Sequence, residues 1–325
     1  FRARPRDHLI VSHHYSASFV FRSHGVFDLL GGMLATLERS SQHVSDSALV
    51  SPYYHDHATA ADCQPDAVRN ITYFYGGGVD GQRDGYYLRR RLFAERARMP
   101  ERTVLVSTGP AWLNDTAYEV LPNCTDLSAE TCTQCQGSYV NAELLSRSQF
   151  TLSPRGDSPS TARLYDAAQY CSIPVLISDT QFELASPFQC FVPYELFTVQ
   201  IPEAEWEADP VFALESTAGA LAPWQVERMR QLMAHFRRDL LWNIEGSRVA
   251  ENILVDASRW RLYPGGGAPR GCCPFRDLLS AEVNNTYYKP AACVHLPPAA
   301  DGTPSCSGVN VTQDFPSGGC PGRAV

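Results

Sequence analysis

Lysine is almost missing from this chain. Of its 27 Lys and Arg residues only Lys289 is a lysine, which leaves 26 arginines. The bias runs through the whole chain, so it reads as coding composition and not as a binding device. Each arginine is still a better phosphate fork than a lysine would be. Basic charge is lacking too. The formal net charge is -8 and the isoelectric point is near 5.6, which argues against a general nucleic-acid binder. No apolar run approaches the roughly 18 residues that would span a bilayer, and no internal repeat marks a solenoid. What is present is a 325-residue chain that is 44% hydrophobic. That is enough for one large or two average domains with a real core, and it excludes a disordered chain.

Cysteine, by contrast, is plentiful, with eleven residues. Five N-x-S/T sequons accompany them, at Asn70, Asn114, Asn123, Asn284 and Asn310. Together they point to a lumenal or extracellular chain with glycosylation at those asparagines. Eleven is odd, so at least one thiol is free or pairs between chains, which would link copies into an oligomer. Cys132 and Cys135 form a CxxC pair, but no second pair stands at metal-ligand spacing, so a structural disulfide is the better reading. His55-Asp56-His57 reads as a solvated loop, and no metal site is expected. No leader stands at the start, which looks like the approach to a strand. Any membrane anchor is expected upstream of residue 1.

Strands and helices alternate along the middle of the chain. Short strands are expected at 8–12 and within 46–54, and a loop with a short helix within 25–37. Ile71–Tyr75 reads as a strand running into Gly76-Gly77-Gly78, and Tyr86–Arg96 as a helix. Strands follow at 103–107, 150–153, 173–178 and 197–201, with helices at 139–147 and 160–170 between them. This order signals a parallel α/β sheet. Pro223 opens a long helix in which Val226, Met229, Leu232, Met233, Phe236 and Leu240 recur at helical spacing, as core. A shorter helix is expected at 249–256. From Tyr263 the composition turns to Gly, Pro, Cys and Asn, an irregular tail that disulfides would staple.

Residues 148–179 carry the chemistry. A strand ends at Ser153, a polar loop holds Arg155, Gly156, Asp157, Ser158 and Ser160, and a helix then presents Arg163 one turn in. Backbone N–H groups at a helix start, hydroxyls and an arginine fork make an anion site suited to a diphosphate. Asp166 lies one turn further on, where its carboxylate could hold ribose hydroxyls or form an ion pair within the helix. Arg89, after the glycine turn, could reach the same diphosphate or lie on the helix surface. Asp179 could cap the next turn or touch a donor sugar. Arg155-Gly156-Asp157 is also an RGD triplet, but its place between strand and helix explains each residue without an adhesion partner.

This stretch resembles the signature of the exostosin-type glycosyltransferases, close to S-x-F-x-L-x-P-R-G-D-S-P-S-S-R-R-L-F-D-A-I-x-x-G-C-I-P-V-I-x-S-D. The match holds at Ser148, Phe150, Leu152, Pro154 through Ser160, Arg163, Leu164, Asp166, Ala167, Ile173, Pro174, Val175, Ser178 and Asp179. Arg6-Asp7-His8 with Val11 and His14 is similar to the family's R-D-H-F-x-V-x-x-H-D. Tyr73–Gly77 with Leu88, Arg89 and Leu92, and Phe197–Glu203, resemble its F-x-G…I-R-x-x-L and F-x-V-x-I-P-E segments. The chain departs from the pattern at Cys171-Ser172 for Gly-Cys, at Thr151 for Cys, at Thr161 for Ser and at Tyr15 for Asp.

The resemblance implies an α/β, GT-B-like architecture of two Rossmann-like domains. Residues 1–66 would be the end of the acceptor-side domain and 67–245 the nucleotide-sugar domain. A crossover helix at 246–262 and the Cys-rich tail at 263–325 would follow. The implied activity is transfer of a sugar, with inversion, from a UDP-sugar to a glycan or glycoprotein acceptor in the Golgi lumen, elsewhere in the secretory pathway or at the cell surface. It implies no metal or other cofactor. Arg89, Arg155, Gly156, Asp157, Ser158, Ser160, Arg163, Asp166 and Asp179 would serve the donor, and His14 or Asp7 the acceptor proton. The alternative is a secreted structural or binding subunit that keeps the fold without turnover.

Overall fold

In a computed structural model, the described residues are 9–13, 33–38, 48–54, 63–64, 67–79, 83–107, 138–189 and 192–262. The chain divides into two compact units. Unit 1 is Phe1–Ser51, Ser186–Leu196 and Arg248–Val325; unit 2 is Pro52–Ala185 and Phe197–Ser247. The first break falls after Ser51, and unit 1 also takes the excursion 186–196, which no composition shift marks.

In unit 1, β1 (Leu9–Val11), β2 (Met33–Thr36) and β3 (Ala48–Val50) form a parallel sheet in the order β1-β2-β3. Of the range 25–37, where a loop and a short helix were expected, residues 25–32 lie outside the described residues and the rest holds a strand. Met33-Leu34-Ala35-Thr36 is a central strand, and Leu34, Ala35 and Thr36 are buried. A short apolar run does not distinguish a buried strand from a buried helix, and pairing on both edges decides the matter. The last helix of the unit runs Val249–Leu262, beyond the 249–256 read from local pattern and within the 246–262 that the resemblance implied, and it packs on β3.

Unit 2 is built on a five-stranded sheet in the order β5-β4-β6-β7-β8, every neighbouring pair parallel. The strands are β4 (Ile71–Gly77), β5 (Thr103–Ser107), β6 (Ser148–Pro154), β7 (Ile173–Ile177) and β8 (Val199–Gln200). The helices in chain order are α1 (Tyr87–Ala94), α2 (Ser138–Ser146), α3 (Ala162–Tyr170), α4 (Glu203–Ala208), α5 (Pro210–Ser216) and α6 (Pro223–Leu240), with the Val249–Leu262 helix of unit 1 as α7. Alternation along the strands sorts the core. Phe150 and Leu152 of β6 and Ile173, Val175 and Ile177 of β7 join Leu88, Leu92 and Trp206 on one face. Ile71, Phe74 and Val106 meet Leu144 and Leu145 of α2 on the other.

The strand order has one reversal. The chain leaves β4 toward β5 and leaves β6 toward β7, in opposite directions from two adjacent strands. The carboxyl ends of β4 and β6 therefore flank the crevice where open α/β sheets take ligands.

A cap at one end and a disulfide just past the other support α3. Thr161 is its N-cap, with a hydroxyl that accepts from the Arg163 N–H. At the other end Cys171 holds the left-handed conformation (φ 52°) that a helix stop favours in glycine, and it is disulfide-bonded to Cys63. Every other cysteine, including Cys132 and Cys135, lies outside the described residues, as does the 263–325 tail.

Candidate functional site

Two arginines cross the crevice between β4 and β6 in opposite senses. Arg89, on the helix after β4, donates from Nε to Pro154 O at the end of β6 (3.3 Å) and from Nη1 to Gly78 O (3.1 Å). Arg163, on the helix after β6, donates from Nε to Gly76 O at the end of β4 (2.7 Å). Its other nitrogens reach Tyr75 Oη and Thr161 Oγ1 at 3.4 Å. Aromatic faces back both guanidiniums: Tyr86 lies 4.1 Å from Arg89 Cζ and Tyr75 lies 4.7 Å from Arg163 Cζ.

The glycines admit this packing. A Cβ on Gly77 would fall on the Arg163 guanidinium. A Cβ on Gly156 would stand 2.8 Å from Arg89 Nη2 and 3.2 Å from the Tyr86 ring. Gly85 lets the Asp157 backbone approach, where a Cβ would sit 2.6 Å from Asp157 Cα. The two Gly-containing loops are thus fitted to each other around the arginines.

Charge is the telling feature. Arg89 is only 7% exposed, so it is not a helix-surface arginine. Burial pulls its guanidinium below its ordinary value, and the nearby charge of Arg163 pulls the same way against the opposing pull of Tyr75 and Tyr86. Among the described residues, the ion pairs involve Arg83, Arg91, Arg98, Arg147 and Arg155, and none includes Arg89 or Arg163. Two neighbouring cations with only carbonyl and hydroxyl partners leave a local excess of positive charge, and an anion would offset it. The start of α3 and the buried hydroxyls of Ser153 and Ser178 lie at the same sheet edge. Neither hydroxyl has a hydrogen-bond partner among the described residues.

The other expected donor-side residues fall into four groups. Ser158 and Ser160 hydroxyls lie 3.1 Å apart, and Ser160 Oγ lies 2.9 Å from Tyr53 Oη. Asp157 is exposed and pairs with Arg83 at 3.0 Å. Asp166 lines a narrow pocket with Tyr53, Tyr165, Gln169 and Trp242. Arg155 and Asp179 both meet Glu203. The Arg155 fork, expected to grip a diphosphate, is closed on Glu203: Nε to Oε1 at 2.7 Å and Nη2 to Oε2 at 2.8 Å. Asp179 is exposed, and its Oδ1 accepts from the Glu203 N–H at the start of α4 (3.0 Å).

Glu203, Tyr87 and Tyr75 carry no role in the sequence reading. The I-P-E match at Ile201-Pro202-Glu203 was the available signal for Glu203. For Tyr75 the signal was adjacency to the glycine turn, and for Tyr87 its place at the start of the helix that carries Arg89. His14 and Asp7 lie outside the described residues, as do His55–His57 and the sequons at Asn114, Asn123, Asn284 and Asn310. Asn70 is exposed, and its Oδ1 accepts from Arg147 Nε (3.1 Å). Among the described residues, no cluster of His, Cys, Asp or Glu is arranged to hold a metal, and no helix is long and apolar enough to cross a membrane.

Comparisons with known proteins place the chain in a family. The model of the Exostosin GT47 domain matches residues 2–217. A probable arabinosyltransferase, ARAD1 of Arabidopsis thaliana, is 28% identical over 104 residues. That match takes in 32% of this chain and spans about a fifth (22%) of the relative's length. Among solved structures, WaaG, a glycosyltransferase of lipopolysaccharide biosynthesis, is similar over 77% of this chain and 74% of its own, at 10% identity and a TM-score of 0.41. The spinosyn rhamnosyltransferase SpnG is similar over 77% and 68%, at 11% identity and a TM-score of 0.41. The family match spans the first unit's sheet, the glycine turn and the whole Arg89–Arg163 crevice, and on it the chain belongs to the exostosin GT47 glycosyltransferase family.

Proposed function

We propose that the chain transfers a sugar from a UDP-sugar to a glycan or glycoprotein acceptor, with inversion, in the lumen of the Golgi or elsewhere in the secretory pathway. One observation carries the reading. Arg89 and Arg163 lie at the reversal of the sheet with carbonyl and hydroxyl partners and no carboxylate among the described residues. Family membership supplies the reaction class, and the relative's description as a probable arabinosyltransferase fits it.

In this reading the two guanidiniums and the first N–H groups of α3 face the diphosphate. As the bond from the sugar's anomeric carbon to the diphosphate oxygen breaks, the electron pair stays on that oxygen, and these fixed donors stabilise the charge. The acceptor oxygen attacks the opposite face of the anomeric carbon while a base takes its proton. His14 and Asp7 are the proposed bases. Ser158 and Ser160 would add hydroxyl donors, and Asp166 would hold the ribose. No metal is required in this reading, because the cationic pair stabilises the charge on the departing diphosphate. The domain limits of the sequence reading, 1–66 for the acceptor side and 67–245 for the donor side, stand as part of this proposal.

The test is a thermal-shift panel of UDP-sugars, followed by incubation of the best one with glycan acceptors. Proton NMR of the product would give its anomeric configuration. A stabilising UDP-sugar and an inverted product support the reading. Stabilisation by no UDP-sugar, or a retained configuration, contradicts it.

A further inference from the structure

One strand over from the cationic crevice, a single carboxylate gathers four donors. Glu203 Oε1 accepts from Arg155 Nε (2.7 Å) and the Asp179 N–H (3.1 Å). Its Oε2 accepts from Arg155 Nη2 (2.8 Å) and Tyr87 Oη (2.6 Å). Each oxygen thus has two partners, which fills its lone pairs. The donors come from separate places: Arg155 follows β6, Asp179 follows β7, and Tyr87 opens α1. Glu203 itself opens α4, just after β8.

The arrangement leaves Arg155 little to offer a ligand. Its Nη2 also meets Tyr87 Oη (3.2 Å), and Nη1 donates to Gly156 O (3.1 Å). The edge that would take a phosphate bidentately is used by the protein's own carboxylate. The contact to Gly156 O shows where the effect goes. Gly156 packs directly on the Arg89 guanidinium, so fixing Arg155 fixes the loop against a cation of the crevice. The pair is well shielded, with side-chain exposures of 23% for Arg155 and 12% for Glu203. It is therefore stronger than an open surface pair.

We propose that Glu203 is a positioning residue of the anion site: acting through Arg155, it presets the loop Gly156–Ser160 over Arg89, and Arg155 serves the ligand by holding that loop and not by touching the phosphate. The inference rests on the crevice being a nucleoside-diphosphate site.

The two roles for Arg155 predict opposite results. Isothermal titration of UDP, and of inorganic pyrophosphate, would compare the unaltered chain with E203Q, R155Q and R155Q/E203Q, each with a thermal melt. A positioning pair predicts that E203Q and R155Q each bind UDP about tenfold more weakly. The double variant would be no weaker than either single variant, because one anchor is lost once. UDP affinity of the unaltered chain would also show an acid step that E203Q lacks, a pH signature that a purely structural contact would not give. A gripping Arg155 predicts the reverse: E203Q frees the fork and binds tighter, while R155Q alone loses affinity. That result overturns the inference, as does E203Q binding like the unaltered chain. If the unaltered chain binds neither UDP nor pyrophosphate, the site reading fails and takes this inference with it.

Discussion

Two arginine arrangements sit at one sheet edge and do different things. Arg89 and Arg163 cross between β4 and β6 onto carbonyl oxygens, and no carboxylate among the described residues offsets them. Arg155, one strand exit away, is neutralised by Glu203 through two short hydrogen bonds. Residue type does not separate these roles, since all three are arginines of one signature or its flank. The partner does. A guanidinium on a carbonyl keeps its net charge for a ligand, whereas one on a carboxylate has become part of the scaffold.

The comparison is broken or sharpened by a graded series. The largest effect belongs to the uncompensated pair. R163A or R89A removes charge-assisted hydrogen bonds worth about 1.5–3 kcal/mol each, so UDP affinity should fall about 10- to 100-fold in either variant. R89A should also lower the melting temperature, because Arg89 is buried between two strand exits. Equal UDP affinity in either variant would erase the distinction drawn above.

G77A comes next. Its new Cβ would occupy the place of the Arg163 guanidinium, so the guanidinium must leave Gly76 O. UDP affinity should fall about tenfold. G77A/R163A should bind no worse than R163A, since both act on one group. Additive losses in a double-variant titration would show that Gly77 matters for another reason.

The compensated arrangement should respond to acid. Burial alone raises the Glu203 carboxyl, but the hydrogen bonds from Arg155, Tyr87 and the Asp179 N–H, with the Arg155 charge, outweigh burial and hold it below its ordinary 4.5. A carboxyl depressed in the folded state stabilises the fold above its unfolded value, and that contribution is lost as pH falls through the folded one. Denaturant titrations from pH 7 to pH 3 should show E203Q and the unaltered chain converging only below about 4.5. Convergence at neutral pH would mean that the pair contributes nothing.

The smallest effect belongs to the open surface. Asp157 and Arg83 are 52% and 57% exposed, and pairs of that kind are screened by water and salt. D157N should change UDP affinity less than about twofold. A larger loss would make Asp157 a ligand contact and not a surface pair.

Much of this architecture was legible in the sequence, for physical reasons. The strands of unit 2 announced themselves because β-branched and apolar runs alternate with helical spacing, and α6 because its apolar stripe is long. The two short helices after β8 were not legible from periodicity. α4 buries a single residue, Trp206, whose Nε1 donates to Leu88 O (3.0 Å). α5 was readable by its cap, since Asp209 accepts from the Val211 and Phe212 N–H groups and Pro210 follows it. Strand order, and with it the reversal between β4 and β6, is a long-range property that local pattern does not encode.

Three of the departures from the family pattern, Thr151, Cys171 and Ser172, are neighbours. Thr151 and Ser172, each standing where the pattern has cysteine, are hydrogen-bonded to each other across β6 and the start of β7 at 2.7 Å, fully buried. Cys171, standing where the pattern has glycine, takes the left-handed turn that explains the glycine, and spends its thiol on Cys63. The site itself was half legible. The sequence placed Arg155 and Arg163 in one loop, but not which of them meets a carboxylate 48 residues away.

The most direct test is calorimetric titration of UDP into the unaltered chain and into R89Q/R163Q at matched salt. The account predicts saturable binding to the unaltered chain that weakens as salt is raised, and a loss of at least about 100-fold in the double variant. Binding of UDP with undiminished affinity after both charges are removed would contradict it.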